Sequence, residues 1–279
     1  MKKTLNIGGK LLDLSTPQVM GILNVTPDSF YSGSRVLQVE DAYKKAERMI
    51  SEGASILDLG GHSTRPGADA VSEEEELKRV LPVVEMIQKR FPDAIISIDT
   101  FRSTVARESI AAGAHIINDI AGGNMDANMF ETVAALHVPY ILMHSRGTPQ
   151  TMKELNQYDD LVTDVLRELQ TKIYQLQQLG VKDIVADMGF GFAKNADQNY
   201  VLLNELKAFQ ILNVPLLIGV SRKSMIWRKL NITADQSLNG TTVLNTIALL
   251  NGASILRVHD VKKAVEAVKL VQLLQSHTS

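Results

Sequence analysis

The stretch IISIDTFRSTVARESIAAGAHIIND, residues 95–119, contains the repeating unit of this chain in one copy. Ile95–Ile98 is a short, nearly all-apolar run, the pattern of a strand covered on both faces. Ser103–Ala112 then reads as a helix ended by Gly113, and His115–Asn118 is a second apolar run. Glycine supplies the left-handed residue that ends many helices, and the small Ala114 lets the chain turn back under a sheet. Each strand delivers a polar residue at its C-terminal end: Asp99 after the first, Asn118-Asp119 after the second.

The unit recurs in both directions. Further strands are expected at Val19–Leu23, Ser55–Leu59, Tyr140–Met143, Ile184–Ala186, Leu216–Gly219 and Ile255–Val258, with helices at Asp41–Glu52, Glu73–Arg90 and Asp160–Leu179. Gly-Ala closes a helix again at Gly53-Ala54 and Gly252-Ala253. Glu73–Arg90 opens after Ser72 with acidic residues at its positive end. Eight strand–helix units without a composition break predict a (β/α)8 TIM barrel, with an open doubly wound sheet as the competing α/β arrangement. Thr4–Leu14, two short apolar runs around Gly8-Gly9, reads as a β-hairpin closing the barrel bottom.

Composition agrees. The 279 residues are 45% hydrophobic and 22% charged, the balance of a soluble globular chain. Twenty-nine basic against 31 acidic residues leave a charge of −2, which argues against a bulk surface for nucleic acid or membrane. The absence of cysteine excludes disulfides, iron–sulfur ligation and thiol nucleophiles. The N-terminus has no apolar signal core, and apolar runs such as Val214–Val220 are far below the ~20 residues of a spanning helix. A cytoplasmic protein is expected.

Barrels carry their active sites at the C-terminal ends of their strands. Here those ends present Asn24, Asp58, Asp99, Asn118-Asp119, His144, Asp187, Ser221-Arg222-Lys223 and Arg257-Val258-His259. One such residue is equally well a cap or a turn, and Asp58 in particular reads as possible scaffold. A whole ring needs a ligand to offset its desolvation. Carboxylates and amides lie on strands three to six, cations on strands seven and eight, where barrels often hold phosphate. The expected ligand has a donor-bearing heterocycle at one end and a phosphate at the other. The loops 25–33 and 60–68, rich in Gly, Pro and hydroxyls, read as lids.

Seven motifs spread over residues 20–268 make the chain resemble the dihydropteroate synthase family, pterin-binding TIM barrels of folate synthesis. They are Gly21-Ile22-Leu23-Asn24-Val25-Thr26-Pro27-Asp28-Ser29-Phe30, Asp58-Leu59-Gly60-Gly61-His62-Ser63-Thr64-Arg65-Pro66-Gly67, Ser97-Ile98-Asp99-Thr100, Ile117-Asn118-Asp119-Ile120, Asp187-Met188-Gly189-Phe190-Gly191-Phe192, Gly219-Val220-Ser221-Arg222-Lys223-Ser224 and Arg257-Val258-His259-Asp260. The resemblance implies one domain over residues 1–279, a homodimer and a Mg²⁺-dependent reaction. In that reaction (7,8-dihydropterin-6-yl)methyl diphosphate and 4-aminobenzoate give 7,8-dihydropteroate and diphosphate. It implies pterin binding by Asp99, Asn118, Asp187 and Lys223, and Mg²⁺ at Asn24. Diphosphate would be held by Asn24, Thr64, Arg65, Arg257 and His259. The aminobenzoate, and with it sulfonamides, would lie near Phe30, Thr64, Arg65, Pro66, Phe192, Lys223 and Ser224. Catalysis falls to Asp99, Lys223, Arg257 and His259.

Two positions depart from the family pattern. Met188 stands where Pro is usual, which frees a backbone torsion beside Asp187. His62 stands where Glu is common, and no role carries over to it. The histidines do not share zinc-ligand spacing. Other readings are a methyltetrahydrofolate methyltransferase barrel with a similar pterin end, a Schiff-base aldolase using Lys223 with Arg222 beside it, and a pterin-binding protein without turnover.

Overall fold

The computed structural model describes residues 2–25, 35–62, 71–148, 151–152 and 154–277, without the side chains of 35–38. Eight parallel strands close on themselves: β3 (Gln18–Asn24), β4 (Ile56–Gly60), β5 (Ile95–Asp99), β6 (Ile116–Asp119), β7 (Tyr140–Met143), β8 (Ile184–Asp187), β9 (Leu216–Ile218) and β10 (Ile255–Val258). Sequence neighbours pair throughout, and β10 pairs with β3 through Leu256–Val19 and Arg257–Met20 to complete the ring. The barrel is therefore as expected, and the open sheet is excluded.

Helices follow the strands: α1 (Arg35–Ser51), α2 (Glu73–Arg90), α3 (Ser103–Ala111), α4 (Met129–Leu136), α5 (Leu161–Gln178), α6 (Ala196–Asn204), α7 (Ser224–Trp227), α8 (Leu238–Leu250) and α9 (Val261–Ser276). α2 is capped by the Ser72 side chain, which accepts from the Glu75 amide, and four glutamates occupy its positive first turn. At the Gly-Ala endings, Gly53, Gly113 and Gly252 have φ of 98°, 110° and 98°, where a β-carbon is strained. The following alanine amide reaches back five residues, Ala54 to Met49, Ala114 to Ser109 and Ala253 to Ala248. That bond closes the helix and aims the chain into the next strand.

Some boundaries differ from expectation. α1 starts at Arg35 rather than Asp41, because residues 35–40 contain no helix breaker. Strands β3, β4, β5, β6 and β8 extend to include their terminal Asn24, Gly60, Asp99, Asp119 and Asp187. α4 and α6 are short and were not marked by periodicity, although Asn195 and Gln198 form a reciprocal capping box at the start of α6.

Period-two alternation sorts the strand residues. Outward residues such as Leu23, Leu57, Ile98, Ile117, Leu142 and Leu256 pack with the helices. At the N-terminal end the inward residues Met20, Ile56, Ile116, Ile141, Val185, Leu217 and Ile255 form a separate apolar cluster with Leu5, Ile7 and Leu14. These last come from or adjoin an antiparallel hairpin of β1 (Thr4–Ile7) and β2 (Lys10–Asp13). The hairpin plugs the barrel bottom, and the C-terminal ends of the strands form the other end, the mouth. No helix among the described residues is long and apolar enough to cross a membrane.

Candidate active site

Two residues beyond the apolar plug, the inward position turns polar on most strands. Asp58, Ser97, Asn118, Asp187 and Arg257 occupy this level, and Asn24, Gly60 and Asp99 stand one step nearer the mouth. The parity also separates the pair Asn118-Asp119. Asn118 faces in, whereas Asp119 faces out and accepts from the Ala121 and Gly123 amides and the Tyr140 hydroxyl at 2.7–2.8 Å. Asp119 supports a turn and is not part of the mouth.

Arg257 is the hub. Its Nε donates to Asp58 Oδ2 at 2.6 Å and its Nη2 to Asp99 Oδ2 at 2.7 Å. Asn118 Nδ2 donates to the same Asp58 oxygen at 3.0 Å. Expected acceptors on one flank and cations on the other are thus a simplification. A guanidinium from the last strand reaches carboxylates on β4 and β5, because an unpaired buried charge is costly. Asp58, which the sequence left open as scaffold, orients both Arg257 and Asn118. Three acceptors in this cluster, Asp58 Oδ1, Asp99 Oδ1 and Asn118 Oδ1, are buried without a hydrogen-bond partner among the described residues. Burial pushes the Asp99 carboxyl up to about 6, with Asp58 adding to the rise and Arg257 opposing it.

On the adjoining wall Asp187, at the end of β8, and Lys223, after β9, both bond to the loop that follows Asp187. Asp187 Oδ1 accepts the Gly189 amide at 2.8 Å. Lys223 Nζ donates to the Phe190 carbonyl and lies 4.9 Å from the centre of the Phe192 ring. Burial raises the Asp187 carboxyl, while Lys223, Gly189 and Arg257 oppose that rise. Burial also lowers the Lys223 ammonium to about 8, with Arg257 pushing the same way and Asp187 opposing. Arg222, next to Lys223 in the chain, is turned away by Asp260 (2.7 and 2.9 Å) and Asp235 (3.1 Å). Gly219 leaves the space beside Arg257, since a β-carbon there would lie 3.8 Å from Arg257 Cβ. Asp187 and Arg257 therefore belong to one mouth.

The remaining expected residues distribute as follows. Asn24 ends β3. A β-carbon at Gly60 would meet Asn24 Oδ1 at 3.5 Å and Asp99 Oδ2 at 3.7 Å, so the missing side chain opens a recess between these oxygens. His259 follows β10, and its amide donates to Ser221 Oγ at 3.1 Å while its Nδ1 lies 3.0 Å from the same oxygen. Ser224 opens α7, exposed beside Lys223. Phe30, Thr64, Arg65 and Pro66 fall outside the described residues, as do residues 26–33 and 63–68 of the expected lids.

Neither departure from the family pattern is loose. Met188 is wholly buried in the outer core, and Asp187 beside it is held through its carbonyl by the His144 amide at 2.8 Å. His62 lies edge-on to Phe101 at 5.0 Å, with Nδ1 3.4 Å from buried Glu76, which also pairs with Arg102. Glu76 reads in the sequence only as part of the acidic first turn of α2, and no signal marks Arg102 or Lys194, because helix and loop positions have no strand parity to expose them. No group of three or more His, Cys, Asp or Glu residues able to hold a metal occurs among the described residues. The recess at Asn24 nonetheless suits Mg²⁺, which takes few protein oxygens and completes its shell with phosphate and water.

Comparison with known proteins agrees with this geometry. The family described as "Pterin binding enzyme" matches residues 20–259. Dihydropteroate synthase of Escherichia coli (strain K12) is 49% identical over 266 residues, 95% of this chain and 94% of that protein. A Yersinia pestis dihydropteroate synthase solved with a sulfonamide drug complex superposes with a TM-score of 0.92 at 46% identity, covering 98% of this chain and 99% of the other. A Xanthomonas albilineans dihydropteroate synthase with 4-aminobenzoic acid gives 0.91 at 40% identity, covering 99% of each. Fold, mouth and sequence agree, and the chain belongs to the dihydropteroate synthase family of pterin binding enzymes.

Proposed function

We propose that the barrel mouth binds (7,8-dihydropterin-6-yl)methyl diphosphate and 4-aminobenzoate and joins them into 7,8-dihydropteroate, releasing diphosphate. The observation that carries this assignment is the set of buried acceptors at Asp58, Asp99 and Asn118 without a partner among the described residues, set beside Arg257 and Lys223. Buried acceptors left without donors cost about 1–3 kcal/mol each, so a ligand rich in N–H groups gains by filling them. A pterin's aminopyrimidinone edge offers such donors to Asp187 and Asn118, while Lys223 donates to the ring oxygen and N5. A methyltetrahydrofolate-type barrel would need the acceptors without the cationic side. A Schiff-base role for Lys223 would leave the acceptors unexplained.

The chemistry follows the charges. The bond between the exocyclic CH₂ and the diphosphate oxygen breaks, and its electron pair leaves with the diphosphate. The cation left behind is delocalised over the electron-rich dihydropterin, and the Asp99 carboxylate stabilises it. The arylamine lone pair of 4-aminobenzoate forms the new C–N bond, and the nitrogen loses a proton to water. Arg257 and His259 stabilise the departing diphosphate together with Thr64 and Arg65. Asn24 is the residue that would hold Mg²⁺, and the ion would supply charge neutralisation on the diphosphate. Phe192 and Ser224, with Phe30 and Pro66, would form the aminobenzoate end, where a sulfonamide would compete.

The same reading takes residues 1–279 as one pterin-binding domain acting in the cytoplasm. α8 and α9 are proposed to pair two copies, since Val243, Ile247, Leu250, Leu270, Leu273 and Leu274 are exposed there. A coupled assay with both substrates and Mg²⁺, with and without a sulfonamide, tests the assignment. Product formation blocked by the sulfonamide supports it, and tight pterin binding without product points to a binding protein. Rapid mixing with the pterin diphosphate alone tests the order of steps. Absence of released diphosphate would favour direct displacement by the amine.

A further inference from the structure

Behind the Asp187 wall lies a second cluster that the chemistry above does not use. Lys194 follows the 187–192 loop and is only 9% exposed. Its ammonium reaches His144 Nδ1 at 2.9 Å, the Phe192 carbonyl at 3.0 Å and the Gly189 carbonyl at 3.2 Å. Three donors meet three acceptors, and none of the three is a carboxylate. Because Lys194 donates to Nδ1, the His144 proton sits on Nε2, which faces Glu168 Oε2 at 3.0 Å. Glu168 in turn pairs with Arg146, so the chain of contacts runs from the loop to a partly exposed carboxylate.

The loop needs such a brace. It presents Asp187, the Phe190 carbonyl under Lys223 and the Phe192 ring, yet Gly189 and Gly191 have φ of 68° and 80°. Among the described residues its other ties are the His144 amide to the Asp187 carbonyl at 2.8 Å, the Phe192 amide to Gly189 at 3.0 Å, the Gly189 amide to Asp187 and the Gly191 amide to Asn199 at 2.7 Å. We infer that Lys194 is a positioning residue for pterin recognition, its ammonium holding the 187–192 loop so that Asp187 and Lys223 face one ligand. This rests on the assignment of the mouth as a pterin site.

The charged form is the competent one. A neutral amine has two donors for three acceptors, so one loop carbonyl or His144 would lose its partner. Burial lowers Lys194 to about 7. Asp187 and Glu168 favour its charge, whereas Lys223 and Arg146 oppose it. Pterin affinity should therefore weaken as pH rises through about 7.

The test is calorimetry of the full chain with a phosphate-free pterin across pH, alongside KM for both substrates. Lys194→Met keeps the volume and removes the donors. Its pterin affinity should fall about tenfold and KM for the pterin diphosphate should rise about as much, while KM for 4-aminobenzoate should rise as well because the same loop carries Phe192. Pterin binding by the parent and equal binding by a folded Lys194→Met variant overturns the brace. No pterin binding by the parent overturns the assignment of the mouth itself. Glu168→Gln, at a partly exposed position, covers the case in which Lys194→Met does not fold. Removing that carboxylate should shift the loss of pterin affinity to lower pH, and an unshifted profile overturns the inference.

Discussion

Replacing Asp58 by Asn probes the hub of the mouth with almost no change in shape. One Asp58 oxygen accepts from Arg257 Nε at 2.6 Å and from Asn118 Nδ2 at 3.0 Å. The amide removes the charge from both bonds. A hydrogen bond to a charged group contributes about 1.5–3 kcal/mol, so kcat/KM at neutral pH should fall roughly 10- to 150-fold. A second effect has a definite sign. Asp99 must be ionised to stabilise the cation, and its carboxyl sits at about 6, so the parent's kcat/KM should decline as pH falls through about 6. Asp58 is one cause of that elevation, although burial is the larger. The two carboxylates share the Arg257 guanidinium and repel each other, so removing the Asp58 charge should lower the Asp99 pKa. The acid limb of the variant should therefore move to lower pH even as its plateau drops. Initial rates of product formation, measured from acidic to neutral pH at subsaturating pterin diphosphate, read both effects. An acid limb that stays in place or moves upward would refute the coupling of Asp58 to Asp99.

Three further outcomes follow from the same geometry. Asp187→Asn should weaken a pterin ligand, because an amide cannot pair with two N–H donors as a carboxylate does, and calorimetry showing unchanged affinity would count against it. Gly189→Ala places a β-carbon 2.0 Å from the His144 carbonyl at a φ of 68°, against backbone that cannot yield. It should cost more than about 3 kcal/mol, and each kcal/mol lowers the melting temperature by roughly 2–4 °C in a chain of this size. A melting curve like the parent's would contradict the packing. Ser224→Ala should alter sulfonamide inhibition more than pterin affinity, and identical inhibition constants would remove Ser224 from the aminobenzoate end.

The alternation of short apolar runs with helical segments was enough to specify the barrel, because each parallel strand is covered on both faces and each Gly-Ala pair ends a helix locally. The polar residues at the strand ends were equally legible, since barrel topology gathers all those ends on one rim. Sequence alone could not say which way each side chain points or what it pairs with. Asn118 and Asp119 look alike in the chain, yet a one-residue change of parity sends one to the mouth and the other to Tyr140. Asp58 and Arg257 are 199 positions apart, and only closure of β10 onto β3 brings them within 2.6 Å. Lys194 carried no signal at all in the sequence. Its importance lies in three acceptors supplied by His144, Gly189 and Phe192, which the fold assembles around it and which desolvate and hold its charge. Local pattern fixes which elements form because those forces act over a few residues, whereas charge pairing depends on distances that exist only once the barrel is closed.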